Sequence, residues 1–136
     1  MLRIILGVIA GFIVWSIVWL GMDALLSAFS PDWFGKNLTD FQNAVERHES
    51  FMTPISVSVY LIFQSIICSL LAGFTAALVA KENRKSTLGL GVLLLITGIL
   101  VEAMHWNYLP VWYHIVFLLL LIPATVLGGR LWRSEN

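Results

Sequence analysis

The stretch 87-TLGLGVLLLITGILVEAMHWNYLPVWYHIVFLLLLIPATVLGG-129 decides how this chain folds. It holds two apolar runs, at about 87–105 and 110–129, separated only by a few aromatic and polar residues from Trp106 onward. A helix crosses the roughly 30 Å hydrocarbon layer with about 20 apolar residues at 1.5 Å each, and each run has that length. In hydrocarbon no water can satisfy backbone N–H and C=O groups, so both runs must be helical. The stretch therefore reads as a helical hairpin across a membrane. Pro110 suits the first turn of the second helix, where its missing N–H is not needed. Gly128-Gly129 reads as that helix's end.

Working outward, the same criterion finds two more spans, at about 2–22 with the pattern extending toward 29, and at 54–80. Thr53 and Ser86-Thr87 offer N-cap oxygens at two of the starts, and Pro54 suits a first turn. The expectation is an all-α membrane protein: four transmembrane helices in an antiparallel bundle, forming one domain over 1–136. The first span carries no charge between Arg3 and Asp23. Its apolar run exceeds the 7–15 residues typical of a signal peptide, so it reads as a retained anchor. Composition agrees: 59% of residues are hydrophobic, 12% are charged, and the mean hydropathy is +0.87. Soluble domains are about a quarter charged. A soluble monomer and a disordered chain are excluded, and the balanced charge excludes a nucleic-acid binder.

The segment 23–53 alone has mixed composition. From Thr39, the spacing of Phe41, Ala44, Val45, His48, Phe51 and Met52 predicts a short amphipathic helix, capped by Thr39 or Asp40, that lies on the surface or covers the bundle. Trp33, Phe34, Trp106, Tyr108, Trp112 and Tyr113 fall at this same end, where Trp and Tyr form interfacial belts. Small residues recur at close-packing intervals: Gly7 and Gly11, then Ser65, Ser69, Gly73 and Ala77, then Gly91 and Gly98. Cys68 has no partner in the chain and reads as a packing residue. Pro123 interrupts the fourth span, where a kink is expected.

Basic residues orient membrane proteins. Arg3, Lys81, Arg84, Lys85, Arg130 and Arg133 lie on one side, and only Lys36 and Arg47 on the other. Both termini and the 81–86 turn are therefore expected in the cytoplasm, with the 23–53 loop and the 105–110 turn outside. The Trp106 to Gly129 stretch looks like that of short bacterial four-span proteins. That resemblance brings no named family and no activity with it; a bacterial inner membrane is the expected location, which makes the outer side periplasmic.

Polar chemistry is concentrated at the outer end. Asp23, His48, Glu102, His105 and His114 all fall there. Glu102 lies inside the third span, so it should face protein or water and have a partner. His105, one turn later, is the nearest candidate, with His114 able to approach across the turn and Arg47 a further alternative. Glu-x-x-His is also the spacing by which helix bundles present two ligands to a metal. Glu102, His105 and His114 are thus candidate ligands for zinc, iron or manganese, with His48 and Asp23 completing a site from above. A metal-binding bundle of the di-iron type would need a second copy of the motif. No nucleophile with a placed base and no phosphate loop is present, and no cofactor is required.

Three functions follow as expectations. The leading one is association, as a subunit or accessory of a larger membrane assembly or as a homo-oligomer. The others are an oligomeric channel or transporter with Gln64 and Glu102 along its path, and a metal-binding enzyme or sensor. The orientation is checked by labelling in a Cys68→Ala background. A cysteine placed at Asn43 should react with an impermeant maleimide on intact cells, and one at Asn83 only after permeabilisation. The reverse pattern overturns the assignment.

Overall fold

The structure, a computed structural model, describes residues 2–132; Arg133, counted above among the orienting charges, lies outside them. Four helices are long and apolar enough to cross a membrane: α1 (Leu2–Phe29), α3 (Ile55–Ala80), α4 (Lys85–Met104) and α5 (Val111–Leu131). The short helix α2 (Lys36–Arg47) lies between the first two. The chain is an integral membrane protein with an all-α, antiparallel architecture, and no strand occurs among the described residues.

α3 is the centre of the bundle. It packs most extensively on α1 and α5, while α4 closes the other side against α5 and, less extensively, α1. Helices in lipid gain nothing from hiding apolar surface from water, so close backbone approach has to hold them. The small residues provide it. A Cβ on Gly7 would stand 2.6 Å from the Ala76 carbonyl oxygen, and one on Gly11 2.9 Å from that of Ala72. Across the bundle, Gly73 faces the Thr125 carbonyl and Gly128 the Leu70 carbonyl, both too closely for any side chain. Gly91 and Gly98 receive Ile122 and Leu121 of α5. All these stripes are used inside the chain. Leu2, Ile9, Ile17 and Leu20 of α1 remain exposed, as lipid-facing residues should.

Several local expectations are corrected. Gly128 and Gly129 do not stop α5, which continues to Leu131; they are the contact with α3 and with Thr87. Pro123 sits within that uninterrupted helix on its exposed side. Ser86 and Thr87 do not cap α4. The Glu82 carboxylate does, accepting the Lys85 N–H at 2.9 Å and those of Arg84 and Ser86. The Ser86 hydroxyl returns a bond to the Glu82 carbonyl at 2.8 Å. Partial burial pushes the Glu82 carboxyl up, but these N–H donors outweigh it and hold it below the usual range. The cap is therefore complete at neutral pH and is lost only as acid protonates this carboxylate below its ordinary range.

The capping helix starts at Lys36 rather than Thr39 and ends at Arg47. Pro31 opens a wide turn, Pro31–Gly35, that runs directly into it. His48 ends it in the left-handed conformation, φ 55°, and the Glu49 N–H closes on the Ala44 carbonyl at 2.9 Å. Thr53 does not cap α3 either. Its N–H and its hydroxyl both donate to the Tyr108 carbonyl, at 2.9 and 2.8 Å, joining the two connections at this end of the bundle. The expected aromatic belt divides: Trp33, Trp106 and Trp112 are exposed, while Phe34 and Tyr113 are core.

Two glycines separate contact from flexibility. Gly128→Ala should destabilise the protein by about 1–3 kcal/mol, because its methyl has no room against α3. Gly21→Ala has nothing within 4 Å and should stabilise the helix by roughly 0.5–1 kcal/mol. Reversible unfolding in mixed micelles measures both; equal effects would contradict the packing described.

Candidate functional site

At the α2-capped end a cleft of about 190 Å³ lies among the four spanning helices. Its walls come from Trp19 and Asp23 of α1, Val57 and Leu61 of α3, Glu102 of α4 and Tyr113 of α5. Phe34, Asn37, Leu38 and Phe41 roof it. α2 is thus placed over the cleft by its apolar face, and Phe41 packs 5.6 Å from Tyr108 and 5.3 Å from His105, ring centre to ring centre. A second lobe of about 160 Å³ continues toward Leu94, Gly98 and Phe117, sharing Trp19, Glu102 and Tyr113 with the first. Trp15 and Trp19 stack along it at 5.1 Å, and the Trp15 indole N–H donates to Ser69. Beyond this level α3 is in backbone contact with α1 and α5, at Ala72 and Thr125.

Two polar units face this space. In the first, the Glu102 carboxylate bonds Nδ1 of His114, both buried. Nε2 of His114 lies 3.0 Å from the Trp106 carbonyl oxygen, and the two rings stack at 4.5 Å with an interplanar angle of 10°. The elements make this pairing natural. Glu102 occupies the last turn of α4 and His114 the first turn of α5, and the 106–108 turn folds them together. A carbonyl only accepts, so Nε2 carries a proton. A single further proton lies between Nδ1 and the carboxylate. The unit is electrically neutral whichever atom holds that proton, which is how a carboxylate persists at this depth.

In the second unit, Gln64 donates its amide N–H to Asp23 at 2.9 Å and reaches the Trp19 carbonyl at 3.4 Å. Gln64 is fully buried and its Oε1 has no hydrogen-bond partner. Asp23 has no cationic partner among the described residues, and neither lysine nor arginine lines the cleft.

The sequence-derived candidates are therefore divided. Asp23, Glu102 and His105 line one cleft, with His114 directly behind Glu102. His105 is not the partner of Glu102. At the α4 terminus its ring turns back, and Nδ1 lies 2.9 Å from the Val101 carbonyl oxygen. His48 lines a shallow surface groove with Glu49 and Asn107 instead. Arg47 is exposed and makes no ion pair among the described residues. No group of three or more His, Cys, Asp or Glu side chains among the described residues could hold a metal ion. Both ring nitrogens of His114 are engaged, by the Glu102 carboxylate and by the Trp106 carbonyl.

Gln64 was legible as a polar residue within a span, but not as the holder of Asp23. The roof residues Asn37 and Phe41 carry no functional signal in the sequence. Comparison with protein families, with curated proteins and with solved structures finds no match to this chain.

Removing one member of a buried ionisable pair is worse than removing both. His114→Leu should lose about 3–5 kcal/mol of stability. The double replacement Glu102→Leu/His114→Leu should recover most of that loss, because it leaves no unpaired carboxylate. Double-mutant unfolding in micelles measures the coupling, and strictly additive losses would show that the two side chains do not act as a unit.

Proposed function

We propose that this chain is a membrane-embedded binding protein that admits a small amphiphilic molecule to the cleft beneath α2. The observation that carries this reading is the cleft itself, in which carboxylates and an imidazole share one roofed space with aromatic and aliphatic walls. Ligand sites are concave, mostly apolar and furnished with a few convergent polar groups. At about 190 Å³ this one is below the size of drug-binding pockets and suits a small occupant.

The basic-residue distribution supports placing the capped end outside, at the periplasmic face of a bacterial inner membrane. The occupant would then come from the outer leaflet or the aqueous phase beyond it. Association with a partner or a second copy, the leading expectation from the sequence, loses its main support. The small-residue stripes that motivated it are filled by the chain's own helices. A channel draws no support from Gln64, which is fully buried and holds Asp23.

Thermal unfolding of the detergent-solubilised chain against a panel of small amphiphiles tests the reading. A ligand at 100 times its Kd stabilises by about 2.7 kcal/mol, a rise of several degrees in Tm. Leu61→Trp, which fills the cleft from α3, should remove the response while leaving the protein folded. If no panel member shifts the wild type, or if the variant responds equally, binding is not in the cleft.

A further inference from the structure

We infer that the cleft is built for a small protonated amine, with Asp23 as its counter-ion. The inference rests on the binding role proposed above and adds the ligand's charge and chemistry.

The two carboxylates of the cleft are not equivalent. Glu102 shares one proton with His114 and carries no net charge as a pair, because Nε2 of that ring is committed to the Trp106 carbonyl. Asp23 has only neutral donors, the Gln64 amide at 2.9 Å and the Trp19 side chain. Asp23 is half-buried, no lysine or arginine lines the cleft, and the one imidazole that does, His105, turns its Nδ1 back to the Val101 carbonyl. Lys36, next to the roof, lines a separate surface groove with Ser27 and Asp40. A cationic occupant supplies the missing charge.

The surroundings select the kind of cation. A divalent metal ion held by side chains wants three or more carboxylate, His or Cys groups together, and no such group exists among the described residues. An alkylammonium needs only one to three acceptors for its N–H bonds. Asp23 supplies a charged acceptor. Gln64 lies behind that carboxylate, fully buried, and holds it in place by its amide N–H. Trp19, Phe34, Phe41 and Tyr113 line the same space, and aromatic faces attract desolvated ammonium groups while receiving an apolar body. An anion or a zwitterion would meet the Asp23 charge unopposed.

A matched pair of probes decides the matter: 2-phenylethylamine, charged at pH 7, and 2-phenylethanol, its neutral counterpart of nearly equal size. Binding of each to the full-length chain in micelles is measured by calorimetry, with Leu61→Trp subtracting partition into detergent. The amine should bind at least about tenfold more tightly than the alcohol, as a charge-assisted hydrogen bond implies. Asp23→Asn, which keeps the shape and the Gln64 contact, should bring the two affinities within about twofold. Equal binding of both probes to the wild type overturns the charge assignment and leaves the binding role intact. Binding of neither overturns both. A preference that survives in Asp23→Asn overturns Asp23 as the counter-ion. Where that variant does not fold, the wild-type ratio alone decides for or against a cationic ligand.

Discussion

Backbone contact along α3 is the constraint on which the molecule depends. In lipid, attraction between helices falls off within a fraction of an ångström, so affinity is set by how closely two backbones approach. α3 meets α1 through Ala72, Ala76 and Ala80, and α5 through Gly73 and Leu70. Both contacts lie toward the end opposite α2. The cleft lies at the other end, where larger side chains such as Trp19, Leu61 and Tyr113 form the walls.

The second constraint is electrostatic. Carboxylates and imidazoles below the membrane surface persist only when each charge is answered. His114 answers Glu102 across the short 106–108 turn. Gln64 gives Asp23 one hydrogen bond without giving it a charge. Two acidic residues of similar chemistry therefore end with different capacities, one internally balanced and one open to an incoming cation.

The four spans were legible because hydrocarbon thickness leaves a run of about 20 apolar residues few options. Their boundaries came within two residues of those observed except at the end of the first, where α1 runs on along the extended pattern to Phe29. What misled was local. Gly128-Gly129 looks like a stop, but glycine has two uses, and only the position of Leu70 shows that close approach prevails. Ser86 and Thr87 look like caps, yet Glu82 reaches the free N–H groups first from its place in the turn. At the site, the gathering of acids and histidines at one end was readable from helix polarity alone. Which of them touch was not. His105 and His114 differ by where the ring can point from a helix end, and that depends on the path of the 106–108 turn. Phe41 and Asn37 became roof residues because α2 begins earlier than its hydrophobic pattern suggests, at the end of the turn that Pro31 opens.

Thr53 has a mechanical consequence. Its N–H and hydroxyl grip the Tyr108 carbonyl, so the strand of chain leading from α2 into α3 and the turn between α4 and α5 form one lintel. The Phe41 ring rests on Tyr108 and His105, so α2 meets the same turn through its own side chain. That turn also presents the Trp106 carbonyl to His114, so the roof and the buried Glu102–His114 pair are fastened to one short piece of chain.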